Sequence, residues 1–318
     1  MNTSRRTFLR LSGLTAGSAI LSGCAGTKTA GRRPLTIIDT HTHFYDPTRP
    51  QGVPWPEASD TFLYKKTMPT DYRAQKVEQP VTGTVVVEAS HWVEDNQWIL
   101  DIARNDPFIV GLCGNLPLGT PEFAGPLKTL VKNKLYAGMR HRQRSLSDDL
   151  KSPEFIRDVK LLADHNLELD SLGNTANLPH VNQLARRVPA LRIVIDHLAN
   201  TRIDGRNVDP EWRKNIFEVA RNPNVHMKVS GLVEGTGRTN GTAPRDPEFY
   251  RPWLDIVWEA FGEDRLIYGS NWPVSARFSS LGTVQGIVYD YFSTKGSVAL
   301  TKVFSGNAKN VYRWVNRD

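Results

Sequence analysis

Two histidines one residue apart close a short β-branched run, Leu35-Thr-Ile-Ile-Asp39-Thr-His41-Thr-His43. In extended backbone, residues i and i+2 face the same side, so His41 and His43 present two imidazoles in parallel. Such a pair suits a divalent metal ion, or the electrophilic end of a hydrolytic site. Two histidines at a strand end could equally cap a loop. The elements that would hold them, and the residues those elements bring alongside, decide between the two.

From Leu35 onward, short apolar runs rich in β-branched residues alternate with helical patterns. The runs cover 36–39, 83–88, 109–114, 136–140, 167–170, 192–196, 225–229 and 266–269. Helical periodicity covers 95–105, 123–134, 153–165, 178–187, 211–222 and 247–261. Ser152-Pro153, Asp209-Pro210 and Asp246-Pro247 each place a capping residue before a proline, a helix-start signal, and Arg221-Asn222-Pro223 reads as a stop. Eight strand runs alternating with helices predict an α/β fold, a (β/α)8 TIM barrel. A doubly wound open sheet is the competitor, but no G-x-G-x-x-G follows the first strand. Residues 46–70 hold five prolines and no clear period. Connections of that length tend to be functional, and this one is expected to be a lid.

A barrel of this kind builds its active site at the C-terminal strand ends. The residues there form a polar ring: Asp39, His41 and His43, then Glu88 with His91, then Asn115. Arg140, His141, Arg142 and Arg144 follow, then Asp170, Asp196 with His197, Lys228 with Ser230, and finally Ser270, Asn271 and Trp272. Four or five of the eight histidines fall at these ends. Chance would scatter them over the helices, so the concentration indicates an enzyme. The arginine cluster around Arg140 suggests a substrate that is anionic or polyhydroxy.

The first residues differ in character. Ser4-Arg5-Arg6-Thr7-Phe8-Leu9-Arg10 leads into a mild apolar run and then Leu21-Ser22-Gly23-Cys24. Paired arginines before Phe-Leu resemble a twin-arginine export signal, and Leu-Ser-Gly-Cys resembles a lipoprotein cleavage box. The expectation is a signal peptide over 1–23, lipidation of Cys24, a tether over 24–34 and the barrel over 35–318. The protein would then be exported and held at the cell envelope by a lipid anchor. The net charge of +7 includes Arg5, Arg6 and Arg10, so removal of that segment leaves +4. With no basic stripe interleaved with aromatics, nucleic acid is not expected as a partner. The only other cysteine is Cys113, so a lipidated Cys24 leaves no internal disulfide.

Six motifs in order carry a family resemblance. They are Asp39-Thr-His41-Thr-His43, Val86-Val-Glu88-Ala, Gly138-Met-Arg140-His141, Ile195-Asp196-His197-Leu198, Lys228-Val-Ser230-Gly231-Leu232 and Tyr268-Gly-Ser270-Asn271-Trp272-Pro273. Together they resemble the amidohydrolase superfamily, in the amidohydrolase-related branch that holds sugar-lactone and pyrone-dicarboxylate lactonases. The resemblance spans 35–318. It implies a hydrolase acting on a cyclic carboxylic ester, with one divalent ion (zinc or manganese) in some members and metal-free catalysis in others. On it, His41 and His43 match the first-strand pair, as catalytic groups or metal ligands. His197 matches the histidine that polarises the substrate carbonyl, and Glu88 and Arg140 match positions near the substrate. His141, Asp170, His91 and Trp272 complete the expected substrate contacts, with Glu88, His91 and Asp170 as candidate bases. The departure is Asn271, where the family commonly has aspartate. An amide can orient water or offer a carbonyl ligand, but it cannot take a proton near neutral pH. No histidine stands in the fifth strand, where Leu169-Asp170-Ser171 occurs, so a binuclear centre is not expected. A superfamily decarboxylase and a non-catalytic sugar-acid-binding barrel remain alternatives at this stage.

Overall fold

Eight short parallel strands carry the site, and the computed structural model describes them within residues 35–141 and 145–317. The export segment, Cys24, Arg142 and Arg144 lie outside the described residues. The strands are β1 Ile38–Thr42, β2 Gly83–Val87, β3 Ile109–Gly114, β4 Tyr136–His141, β5 Glu168–Ser171, β6 Arg192–Ile195, β7 Val225–Val229 and β8 Leu266–Tyr268. They pair in sequence order. The ring closes where Thr40 Oγ1 donates to the Tyr268 carbonyl at 2.6 Å and the His43 amide donates to the Trp272 carbonyl at 2.9 Å. This is the expected (β/α)8 barrel.

Strand alternation separates two packing layers. Val86, Leu112, Ile193, Ile195 and Met227 face outward and join the cluster shared with the surrounding helices. Val85, Val87, Cys113, Val194 and Ile267 face inward, where Val311 at the end of the last helix and Tyr312 just after it pack with them. Above that apolar plug the inward positions turn polar and charged, with Asp170, Asp196 and Lys228 all without solvent exposure. Ser152, Asp209 and Asp246 cap their helices as expected, accepting from the amides of Phe155, Glu211 and Glu248 at 3.2, 2.9 and 2.9 Å.

The proline-rich connection after β1 is tied at both ends. The Tyr45 and Thr67 backbones exchange hydrogen bonds of 3.0 and 2.9 Å, and Arg277 Nη2 reaches both Asp60 oxygens at 2.6 Å. Trp55 rides on this loop, with its ring centroid 5.7 Å from that of His43 and 5.3 Å from that of Tyr45. The loop thereby forms one wall of the site.

Candidate active site

The pairing of β1 with β2 shifts register between Asp39 and Thr42. Such bulges re-aim side chains, and here both histidines come to one pocket, with ring centroids 5.0 Å apart. His197 joins them, its ring 4.3 Å from that of His41. Two glycines make room. A Cβ on Gly269 would meet the His41 Cβ at 2.8 Å, and one on Gly231 would meet the His197 Cβ at 2.5 Å. His197 and Asn271 both adopt positive φ, at 55° and 57°. Non-glycine residues in that region carry strain, which concentrates at functional sites. Asp39 serves as a strut: its carboxylate accepts from Tyr72 Oη at 2.7 Å and from the Ser270 amide at 2.8 Å, fixing β1 to β8.

All three imidazoles are neutral at physiological pH. Burial holds His41 well below the usual histidine range, against the opposing pull of Asp196. Burial and Arg140 bring His43 down to about 3. Burial brings His197 down to about 4, again opposed by Asp196. Neutral imidazoles can donate to a carbonyl oxygen or ligate an ion, and protonated ones cannot ligate.

The structure brings Glu88 and Arg140 to the pocket and joins them. Arg140 Nε donates to Glu88 Oε1 and Nη2 to the Glu88 carbonyl, both at 2.8 Å, while Nη1 lies 3.5 Å from His41 Nε2. The guanidinium is thus largely neutralised, which removes its argument for an anionic substrate. Beside this pair lies a cavity of about 110 Å³ whose remaining walls include Leu116, Leu118 and Met139.

Of the four other expected substrate contacts, His141 lines that cavity and three fall elsewhere. Asp170 is wholly buried below the pocket, 2.6 Å from Lys228 Nζ, because a carboxylate inside the barrel needs a counter-ion. His141 Nε2 lies 2.7 Å from Asp149 Oδ2 at the edge of that cavity. Trp272 is 5% exposed and packs edge-on to Tyr72, so it wedges the core. His91 is solvent-exposed beside Trp92, and no contact joins it to the histidine cluster.

One acidic residue was missed. Asn271 Nδ2 donates to Glu234 Oε1 at 2.8 Å. Glu234 Oε2 is out of solvent with no hydrogen-bond partner, and burial raises the carboxyl to about 7. Glu234 stands four residues beyond Ser230, the serine that follows β7. It reaches the site only because Gly231, at φ 68°, turns the chain into the short helix Leu232–Gly235. A Ser-Gly turn followed closely by an acidic residue was the one signal present.

The pocket also fits a divalent ion. His43 Nδ1 lies 2.9 Å from the Val87 carbonyl, which can only accept, so Nδ1 carries the proton and Nε2 a lone pair. That lone pair faces Asn271 Oδ1 at 3.2 Å, while the amide nitrogen is turned to Glu234. Two acceptors face each other with no hydrogen between them, an arrangement that a cation resolves. The donor atoms of His41, Asp196 and His197 lie within 4.8 Å of one another.

Comparisons with known proteins find lactonases and amidohydrolases among the relatives of this chain. An L-fucono-1,5-lactonase from Burkholderia ambifaria is 32% identical over 87% of this chain and 95% of its own length. A second L-fucono-1,5-lactonase, from Burkholderia multivorans, is 26% identical over 86% of this chain and 95% of its own. A crystal structure of a Burkholderia multivorans amidohydrolase with bound zinc superposes with TM-score 0.77 at 25% identity, covering 88% of this chain and all of the other. The amidohydrolase family model matches residues 38–314, and the chain belongs to that family.

Proposed function

We propose that the protein is a lactonase that opens a sugar-acid lactone by attack of water. The observation that carries this reading is the opposition of neutral His41 and His197 to the Asn271–Glu234 pair across one pocket. The named lactonase relatives support it. Glu234 supplies the base that Asn271 cannot be: Asn271 orients the water, and the free Glu234 Oε2 takes its proton. The resulting hydroxide oxygen bonds to the carbonyl carbon. His197 and Arg140 are donors aimed at the charge that develops on the carbonyl oxygen. Collapse breaks the ring C–O bond, and the departing alkoxide receives the proton from Glu234, leaving a hydroxy acid. A zinc or manganese ion held by His43 and Asn271, with His41 or His197, would supply Lewis-acid polarisation of the carbonyl. The capture of Arg140 by Glu88, together with the apolar wall of Leu116, Leu118 and Met139, favours a polyhydroxy substrate with an apolar substituent over a polyanionic one.

A base-uptake assay on a panel of aldonolactones, with and without added zinc or manganese, tests this reading. Hydrolysis of at least one lactone that is lost in Glu234→Gln is expected. Binding without turnover across the panel would favour a non-catalytic sugar-acid receptor instead. The twin-arginine and Leu-Ser-Gly-Cys24 patterns support export and lipid anchoring. Cys24→Ala should then move the protein from the membrane fraction to the soluble fraction, and an unchanged distribution would refute the anchor.

A further inference from the structure

Lys228 lies inside the barrel with no solvent exposure, and its ammonium has three polar neighbours. Asp170 Oδ2 is at 2.6 Å, Asp196 Oδ1 at 3.0 Å and His41 Nδ1 at 3.2 Å. These acceptors come from β5, β6 and β1, so three strands converge on one positive charge. The ammonium donates to Asp170, has His41 Nδ1 within hydrogen-bond reach, and forms an ion pair with Asp196. Two of the three, His41 and Asp196, also belong to the group whose donor atoms could hold an ion with His197. An ion taking their Lys228-facing atoms would sit within bonding distance of a fixed ammonium. Among the described residues, no ammonium bonds to the His43–Asn271 pair. Its two acceptors meet at 3.2 Å with the Glu234 carboxyl beyond Asn271, and the Arg140 cation whose field reaches His43 is already paired with Glu88.

We infer that the Lys228 ammonium fills a cation site of this barrel, so that the chain holds at most one divalent ion, on the His43–Asn271 side. By the same geometry, removing that ammonium leaves Asp170, Asp196 and His41 as a vacant set of two carboxylates and an imidazole. Such a set suits manganese or zinc. The inference concerns cation occupancy and stands whether or not the lactone chemistry proposed above holds. Lys228 acts here as a positioning residue, because it fixes the orientation of His41 and Asp196 without facing the pocket itself.

Metal content tests it without any activity measurement. The metal-free protein is equilibrated with manganese or with zinc, desalted and measured for ions per chain. The wild type should hold one ion or none. Lys228→Met, which keeps the length and removes the charge, should hold one more, and added manganese should raise its melting temperature by more than it raises that of the wild type. Lys228→Met with Asp170→Asn, which deletes a carboxylate from the vacant set, should lose the additional ion. Two ions per chain in the wild type would overturn the inference whatever the variants do. A folded Lys228→Met protein with the wild-type ion count would overturn it as well.

Discussion

Replacing Glu234 by glutamine removes one proton acceptor and little else. The new amide oxygen can still accept from Asn271 Nδ2, which lies 2.8 Å from Oε1 in the native protein. The unpartnered Oε2, raised with its carboxyl to about 7 by burial, becomes a group that cannot take a proton. A general base poised near the working pH contributes roughly 10²–10⁴ in rate, about 3–5 kcal/mol of barrier. Glu234→Gln should lower kcat by that range with KM little changed, because the lost interaction is made with the attacking water. The wild type should show kcat/KM rising with pH through about 7, as Glu234 ionises, and the variant should lose that limb. Stability separates catalysis from misfolding. A carboxyl raised in the folded state favours folding below its unfolded pKa, and that contribution disappears as pH rises through about 7. Glutamine carries no such loss, so the variant should melt no lower than the wild type at pH values above that range. A Glu234→Gln enzyme with wild-type kcat/KM and the same rising limb would refute the assignment. Asn271→Asp offers a second approach. It sets two carboxylates against each other, which should push the Glu234 carboxyl higher and move the rising limb to higher pH. It also adds a negative charge to the two ligands at His43 and position 271, so metal should bind more tightly.

Three further outcomes follow from the pocket. His197→Ala removes a donor from the developing oxyanion and should cost about 10²–10³ in kcat; normal turnover would sink that role. Glu88→Ala leaves a guanidinium at 6% exposure without its carboxylate. Urea unfolding should show a loss of about 3–5 kcal/mol, and an unchanged midpoint would mean that the pair is not buried in solution. Imidazole NMR should find His43 as the neutral Nδ1–H tautomer across pH 5–8, given its displacement to about 3 and its bond to Val87. A midpoint near the ordinary value of about 6.5 would contradict the burial of that ring.

Much of the barrel was legible before folding. Strand alternation and helical periodicity are local, and the runs at 109–114 and 225–229 coincide with β3 Ile109–Gly114 and β7 Val225–Val229. The first strand was placed early. The run at 36–39 is apolar, yet the strand is Ile38–Thr42, because pairing with β2 begins at Ile38 opposite Gly83 and continues until Thr42 meets Trp272. The helix read over 247–261 splits into a tight turn, Pro247–Phe249, and the helix Arg251–Phe261. His41, His43, His197 and Asn271 were placed correctly at one mouth, since all four stand at strand ends and topology brings those ends together. His91 was not, because four residues past the end of β2 the chain has left the barrel axis and its side chain turns to solvent.

By itself the sequence determined the architecture and the stock of chemical groups at its mouth. Periods of two and of three to four residues dictate strands and helices, and strand order then dictates which ends share a face. Only the tertiary structure decided which of those groups remain available. Arg140 is taken by Glu88 across 52 residues, Asp170 by Lys228 across 58, and Asn271 by Glu234 across 37. Charges buried in a barrel must find partners through space, and sequence spacing carries no record of that choice. The two histidines of the first strand were visible from the start. That one of them faces a built-in ammonium and the other an amide lone pair is a property of the closed barrel alone.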